Sequence, residues 1–216
     1  MNTKTETKPE FGDAYAGNQL ARRKSVLRRI IKSVYVASVL KLVKGPTIDV
    51  GCGAGQILER LPAGSVGIEV NPVLVEQLNA RGLDVRRATP DAERIDLSAI
   101  EPGVFRSLVL SHVLEHFDNA HQVLARLLAD AKAVGLERVV IVVPGLVGYR
   151  SDATHKTFVT MAYLKEHGAL ACEGFVLRQA NYFPGNAAWI GKWFIYHELT
   201  LVYERSARQS CAHLAD

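Results

Sequence analysis

The chain has 216 residues, 48% of them hydrophobic and 22% charged, with a formal net charge of +4. That balance describes one globular domain with a sizeable core and excludes extended disorder beyond the ends. No apolar run reaches the roughly 18 residues of a membrane span, and the opening MNTKTETKPE lacks the apolar core of a signal peptide, so a soluble cytoplasmic protein is expected.

Residues 1–18 read as a flexible N-terminus. Between Ala14 and Ile48 stand eight basic residues (Arg22, Arg23, Lys24, Arg28, Arg29, Lys32, Lys41, Lys44) and no acidic one, which leaves the rest of the chain net negative. Val26, Leu27, Ile30, Ile31, Val34 and Leu42 recur at steps of three and four among these charges, which predicts a basic amphipathic helix within 19–45, packed on the domain. Its charged side is a solvated face or a contact for an anionic substrate or membrane surface. Nucleic acid is not expected, because no aromatic-rich basic motif accompanies the charge.

From Thr47 onward, β-branched runs alternate with helical stretches. Predicted strands are Thr47 to Val50, Val66 to Val70, Asp84 to Arg87, Ser107 to Leu110, Val139 to Val143, Phe175 to Tyr182 and Glu198 to Glu204. Predicted helices start after Asn71, an N-cap followed by proline, and after Asp118; a short one spans Met161 to His167. The fold class is α/β: a Rossmann-like, doubly wound, mostly parallel seven-stranded sheet over 46–206, with an antiparallel C-terminal strand and an N-terminal helical extension. Residues 207–216 read as a tail. Cys52, Cys172 and Cys211 have no C-x-x-C spacing, so reduced thiols are expected.

The strongest chemical signal is TIDVGCGAGQ, Thr47 to Gln56, a strand running into three glycines at alternate positions, with a helix expected next. Glycines permit positive φ and close approach of a ligand, and a helix start offers free N–H groups. A dinucleotide fingerprint wants its third glycine at the sixth position, where Gln56 stands, so a nicotinamide dehydrogenase is disfavoured. Asp49-Val50-Gly51-Cys52-Gly53-Ala54-Gly55 instead resembles motif I of the class I S-adenosylmethionine-dependent methyltransferases, and the resemblance extends over most of the chain. It implies a methyltransferase with S-adenosyl-L-methionine as cofactor, held by Asp49, Gly51, Cys52, Gly53, Gly55, Glu69, Val70, Asp91, Ala92 and Ser111. Glu69, at the end of the second strand, would take the ribose hydroxyls. Asp49 is read either as a ligand contact or as a structural carboxylate beside the loop. At the adenine position Asp91-Ala92 competes with Thr89, and a surface turn around Pro90 explains the same letters.

Ser111 to His116, SHVLEH, also matches the His-x-x-Glu-His order of a zinc-protease motif through His112, Glu115 and His116. A metalloprotease needs a third ligand and both histidines on a helix, whereas His112 falls at the exit of the fourth strand, so no metal is expected. The stretch resembles the S-H-x-L-E-H of a methyltransferase branch related to quinone and cell-envelope sugar methylation. The resemblance implies that His112 faces the junction of methyl donor and acceptor, while Glu115 and His116 support the turn. After the fifth strand, a loop carries Tyr149, Arg150, Asp152, Thr154 and His155; the branch has an Asp-x-Thr-His element here, which implies an acceptor-site role for His155. His112 and His155 are therefore the candidate catalytic bases. Trp189, Trp193 and Tyr196 are expected to pack in the core or at the sheet edge rather than form a sugar platform.

The expected reaction is methylation of an oxygen on a small-molecule or glycan acceptor, including a lipid-linked sugar. Methylation of a quinone-type, carboxylate or nitrogen acceptor, and a non-catalytic cofactor-binding regulator, are the alternatives.

Overall fold

The computed structural model describes residues 26–206, with side chains from residue 33. The expectations for 1–18, the start of the basic helix and the 207–216 tail lie outside the described residues.

Among the described residues the sheet has eight strands: β1 (Thr47–Val50), β2 (Val66–Glu69), β3 (Val85–Arg87), β4 (Ser107–Ser111), β5 (Arg138–Pro144), β6 (Ala171–Cys172), β7 (Phe175–Phe183) and β8 (Glu198–Arg205). Their order is β3-β2-β1-β4-β5-β8-β7-β6. The first five run parallel, β8 lies antiparallel between β5 and β7, and β7 pairs antiparallel with β6. The strand beyond the predicted seven is β6, whose two residues are too few to show any alternation. The order reverses between β1 and β4, which opens a crevice at the carboxyl ends of these strands, where doubly wound sheets place ligands.

Both faces of the central strands are covered, which is why β1, β4 and β5 read as almost unbroken apolar runs. Helix α1 (Val26–Leu40) lays Tyr35, Val36 and Val39 on one face, against Val109, Val140 and Val142. The alternate residues Leu108, Leu110 and Ile141 belong to the other cluster, with Leu124, Leu127 and Leu128 of α3 (Ala120–Ala133). Val34 was expected on the apolar side of α1 but is 52% exposed; the buried stripe is 35, 36 and 39, and the rotation that buries Tyr35 turns Val34 outward. Lys41 and Lys44 are exposed beyond its end.

Helix α2 (Pro72–Asn79) starts as predicted, the Asn71 side chain accepting from the N–H groups of Val73 and Leu74. Two other expectations fail. No α-helix follows the glycine loop, only a 3-10 turn at Leu58–Arg60, because Pro62 stops the segment before a helix can propagate. Asn119, not Asp118, occupies the cap position of α3, and it makes no side-chain cap bond; the Asp118 carboxylate instead accepts from Lys156 Nζ at 3.0 Å. Two short helices, α4 (Leu146–Arg150) and α5 (Met161–Glu166), complete the described chain.

Candidate functional site

Glu69, buried at the end of β2, organises the loop that follows β1. Its Oε2 accepts from the Gly53 N–H at 2.8 Å, and its Oε1 accepts from the N–H groups of Val70 and Asn71, each at 2.9 Å. A carboxylate has about four lone-pair sites, so one remains, on Oε2. The carboxylate expected to clasp both hydroxyls of a diol thus has room for one hydroxyl without releasing a backbone bond.

The three loop glycines all have positive φ but differ in what surrounds them. A Cβ on Gly51 would lie 2.4 Å from Val113 Cγ2, and one on Gly55 would lie 2.7 Å from Leu78 Cδ2. A Cβ on Gly53 would meet nothing nearer than the Gly51 carbonyl oxygen at 3.9 Å. Gly51 and Gly55 are therefore required by the protein's own packing, and Gly53 is the position open to a ligand. Cys52 points inward among Leu58, Leu78 and Val85, and burial pushes its thiol pKa up, so the side chain is a packing group.

Asp49 is 2% exposed, and its Oδ2 has no hydrogen-bond partner. Burial pushes its pKa up to about 7, against the backbone bond from Leu58 and reinforced by the charge of Glu69. A cationic ligand at the loop would relieve that orphaned carboxylate. The open Gly53, the remaining site on Glu69 and the unpaired Asp49 oxygen thus fit S-adenosylmethionine, whose sulfonium and ammonium are cationic and whose ribose donates hydroxyls. Asp91 and Ala92 lie exposed after β3, as does Thr89; the Asp91 Oδ1 accepts from the Glu93 N–H at 2.7 Å, the turn geometry that was the competing explanation.

At the exit of β4, the Ser111 hydroxyl hydrogen-bonds the Tyr35 hydroxyl of α1. His112 follows with φ of 55°, a left-handed backbone uncommon outside glycine, and its N–H donates to the Val142 carbonyl at 2.9 Å. The turn holds its imidazole between two carboxylates: Nε2 is 3.0 Å from Glu198 Oε1, and Nδ1 is 3.3 Å from Glu115 Oε1. Burial opposes protonation, but the two carboxylates outweigh it and push the pKa up to about 10. His112 therefore carries a positive charge at neutral pH. It is a hydrogen-bond donor there, with both ring nitrogens protonated.

His155 reaches the same region from the loop after α4. Its Nδ1 donates to the Tyr149 carbonyl at 2.8 Å, its ring stacks on Tyr149, and its Nε2 lies 3.8 Å from Glu115 Oε1. The loop is ordered by Asp152, whose Oδ1 accepts from the Thr154 N–H and hydroxyl at 2.9 and 2.7 Å. Tyr149 donates its hydroxyl to the Lys156 carbonyl at 3.1 Å, and Arg150 is exposed.

Two members of this cluster escaped sequence reading. Tyr35 was hidden in a helix noticed for its charges. Glu198 stands opposite Pro144 at the start of β8, and because β8 is antiparallel, its first residue lies at the carboxyl end of the parallel strands. An acidic residue opening a buried final strand was the available signal. Trp189 and Trp193, expected to pack, are 65% and 83% exposed. The 3-10 turn Ala188–Lys192 is held through its backbone instead: Gly191 fits against the His197 ring, and His197 Nε2 donates to the Ala187 carbonyl at 3.1 Å, so the indoles project outward.

Among the described residues, no helix is long and apolar enough to cross a membrane. The family described as "Methyltransferase domain" matches residues 48–133, which include the glycine loop, Glu69 and the β4 exit. A comparison with curated proteins found no significant match. Among solved structures, an S-adenosylmethionine-dependent methyltransferase from Archaeoglobus fulgidus aligns with a TM-score of 0.64 at 18% identity, covering 89% of this chain and 100% of that one. The magnesium protoporphyrin IX methyltransferase of Synechocystis, solved with S-adenosylhomocysteine, aligns at 0.60 and 13% identity, covering 89% and 95%. An N-methyltransferase from Bradyrhizobium japonicum, also solved with S-adenosylhomocysteine, aligns at 0.59 and 14%, covering 90% and 98%. These likenesses establish the fold, and the family match places a methyltransferase-domain sequence over residues 48–133, the part that carries the glycine loop, Glu69 and the β4 exit.

Proposed function

We propose that the acceptor is a hydroxyl oxygen, on a glycan, a lipid-linked sugar or another small metabolite. The observation that carries this reading is Glu198: its Oε1 accepts from charged His112, while its Oε2 is buried with no hydrogen-bond partner. An acceptor atom left open must be met by a donor. A hydroxyl supplies one and an ionised carboxylate does not, so the pair disfavours a carboxylate substrate.

S-adenosylmethionine supplies an electrophilic methyl group whose leaving group is already activated. What remains for the protein is alignment, exclusion of water and disposal of the acceptor proton. Asp49, Gly53 and Glu69 hold the cofactor. His112 fixes the orientation of Glu198, and Glu198 accepts the hydrogen bond of the acceptor hydroxyl and takes its proton as the oxygen is methylated. Tyr35 and Ser111 close the side of the site nearest α1. The exposed Trp189 and Trp193, just before β8, offer flat apolar surface suited to a sugar ring.

The test is release of S-adenosylhomocysteine by the purified protein against separate pools of glycans, lipid-linked sugars, small hydroxylated metabolites, quinols, amines and carboxylates. Turnover with a hydroxyl pool, reduced at least about 100-fold in kcat by Glu198→Gln with cofactor affinity unchanged, is expected. Turnover confined to amines or carboxylates, or a Glu198→Gln variant of full activity, overturns the reading.

A further inference from the structure

We infer that Glu115, His116 and His155 form a binding site for a divalent transition-metal ion. One potential ligand atom from each residue lies within 4.8 Å of the others. Glu115 is completely buried, yet neither carboxylate oxygen has a hydrogen bond; Oε1 has charged His112 at 3.3 Å and His155 at 3.8 Å, at ion-pair distance only, and Oε2 has no partner. A carboxylate withdrawn from water without hydrogen bonds is costly, and a cation is the partner that answers both oxygens.

The two histidines show the arrangement that prepares imidazoles for metal. His155 Nδ1 is committed to the Tyr149 carbonyl. His116 Nδ1 is held by the Thr154 hydroxyl at 3.1 Å, with the Thr154 carbonyl at 3.4 Å. Each ring therefore keeps Nε2 for coordination while its other nitrogen fixes its orientation, as outer-shell partners do around metal-bound histidine. The rings meet edge to face, 4.8 Å between centroids. The backbone is tied as well, since the Glu115 carbonyl accepts from the N–H groups of Lys156 at 2.8 Å and Thr157 at 3.1 Å, joining the turn after β4 to the loop that carries His155.

Two imidazoles and one carboxylate are a donor set for zinc, iron, cobalt or nickel rather than for magnesium or calcium, which prefer oxygen. Ligand atoms of a tetrahedral ion stand about 3.4 Å apart, so binding draws the triad together by up to about 1.4 Å, within reach of a side-chain rotation of the half-buried His116. Three protein ligands leave a fourth position for water or an acceptor oxygen. The shared residue Glu115 places that position one carboxylate away from His112.

The experiment titrates the metal-stripped full chain with Co2+, read by its visible d–d absorption, and then competes with Zn2+. Stoichiometric binding with the intensity of a four-coordinate site is expected, weakened at least tenfold by each of His116→Ala, His155→Gln and Glu115→Gln. His116→Ala changes a partly exposed side chain, and circular dichroism establishes that each variant is folded. The pair His121 and His167, with ring centroids 4.1 Å apart, is the control. Absence of Co2+ binding, binding unchanged by the three variants, or binding lost in His167→Ala overturns the site. The readout needs no methyl transfer, so its failure is distinguishable from failure of the acceptor reading.

Discussion

Asp49 and Glu69 flank the same loop under opposite constraints. Glu69 accepts hydrogen bonds from three backbone N–H groups, whereas Asp49 keeps one oxygen unpaired in the core. The folded pKa of Asp49, about 7, lies above the unfolded value of about 3.9, so the folded chain retains a proton that the unfolded chain releases. Its contribution to stability is therefore present below about pH 4 and is lost as pH rises through about 7. Asp49→Asn removes that dependence. Thermal melts of the cofactor-free protein should show the variant more stable at pH 8 by at least about 1 kcal/mol, or about 2–4 °C, with little gain at pH 4. Calorimetry should show its S-adenosylmethionine affinity reduced. Equal melting curves across this range count against a buried titrating Asp49, and unchanged affinity counts against its contact with the cofactor.

At the level of elements, the glycine loop and the β4 exit are a single assembly, because Gly51 exists to admit Val113. Gly51→Ala forces the 2.4 Å approach at positive φ and should cost about 1–3 kcal/mol in denaturant unfolding, part of it recovered by adding Val113→Ala. A double variant no more stable than the single one excludes that contact as the cause. What the sequence made legible follows from the same distinction between local and distant causes. The Asn71-Pro72 helix start and the strands depend on residues a few positions apart, and they were readable. Local letters also marked both Glu115 and His155, yet nothing in the sequence says that a loop 40 positions onward meets the turn after β4; that is set by the β4–β5 register and the bonds of Lys156 and Thr157. The charge on His112 was hidden for the same reason, since one of its two carboxylates arrives on the last strand.

Across the whole molecule, the residues around the glycine loop and His112 are drawn from two parts of the chain. Residues 48–133 contribute the glycine loop, Glu69 and His112, whereas Glu198 and His155 come from the part of the chain beyond the family match. The exposed tryptophans belong to that second part too. Insertion of β8 between β5 and β7 has a further consequence, which concerns the chain while it is being made. Until β8 exists, the apolar strand RVVIVVP presents an open edge, and β7 cannot close it because its place in the sheet is through β8. A long, unpaired, apolar edge is a template for pairing with other copies. A defect in β8 should therefore appear as aggregation rather than as a soluble unfolded protein. Leu201→Pro, which breaks the strand opposite Ile141, is expected to move the expressed protein into the insoluble fraction, where a soluble monomer would refute this account. The nascent protein thus passes through a period of vulnerability that ends only when the strand bearing Glu198 is in place, so the step that gives His112 its second carboxylate is also the step that makes the chain safe from its neighbours.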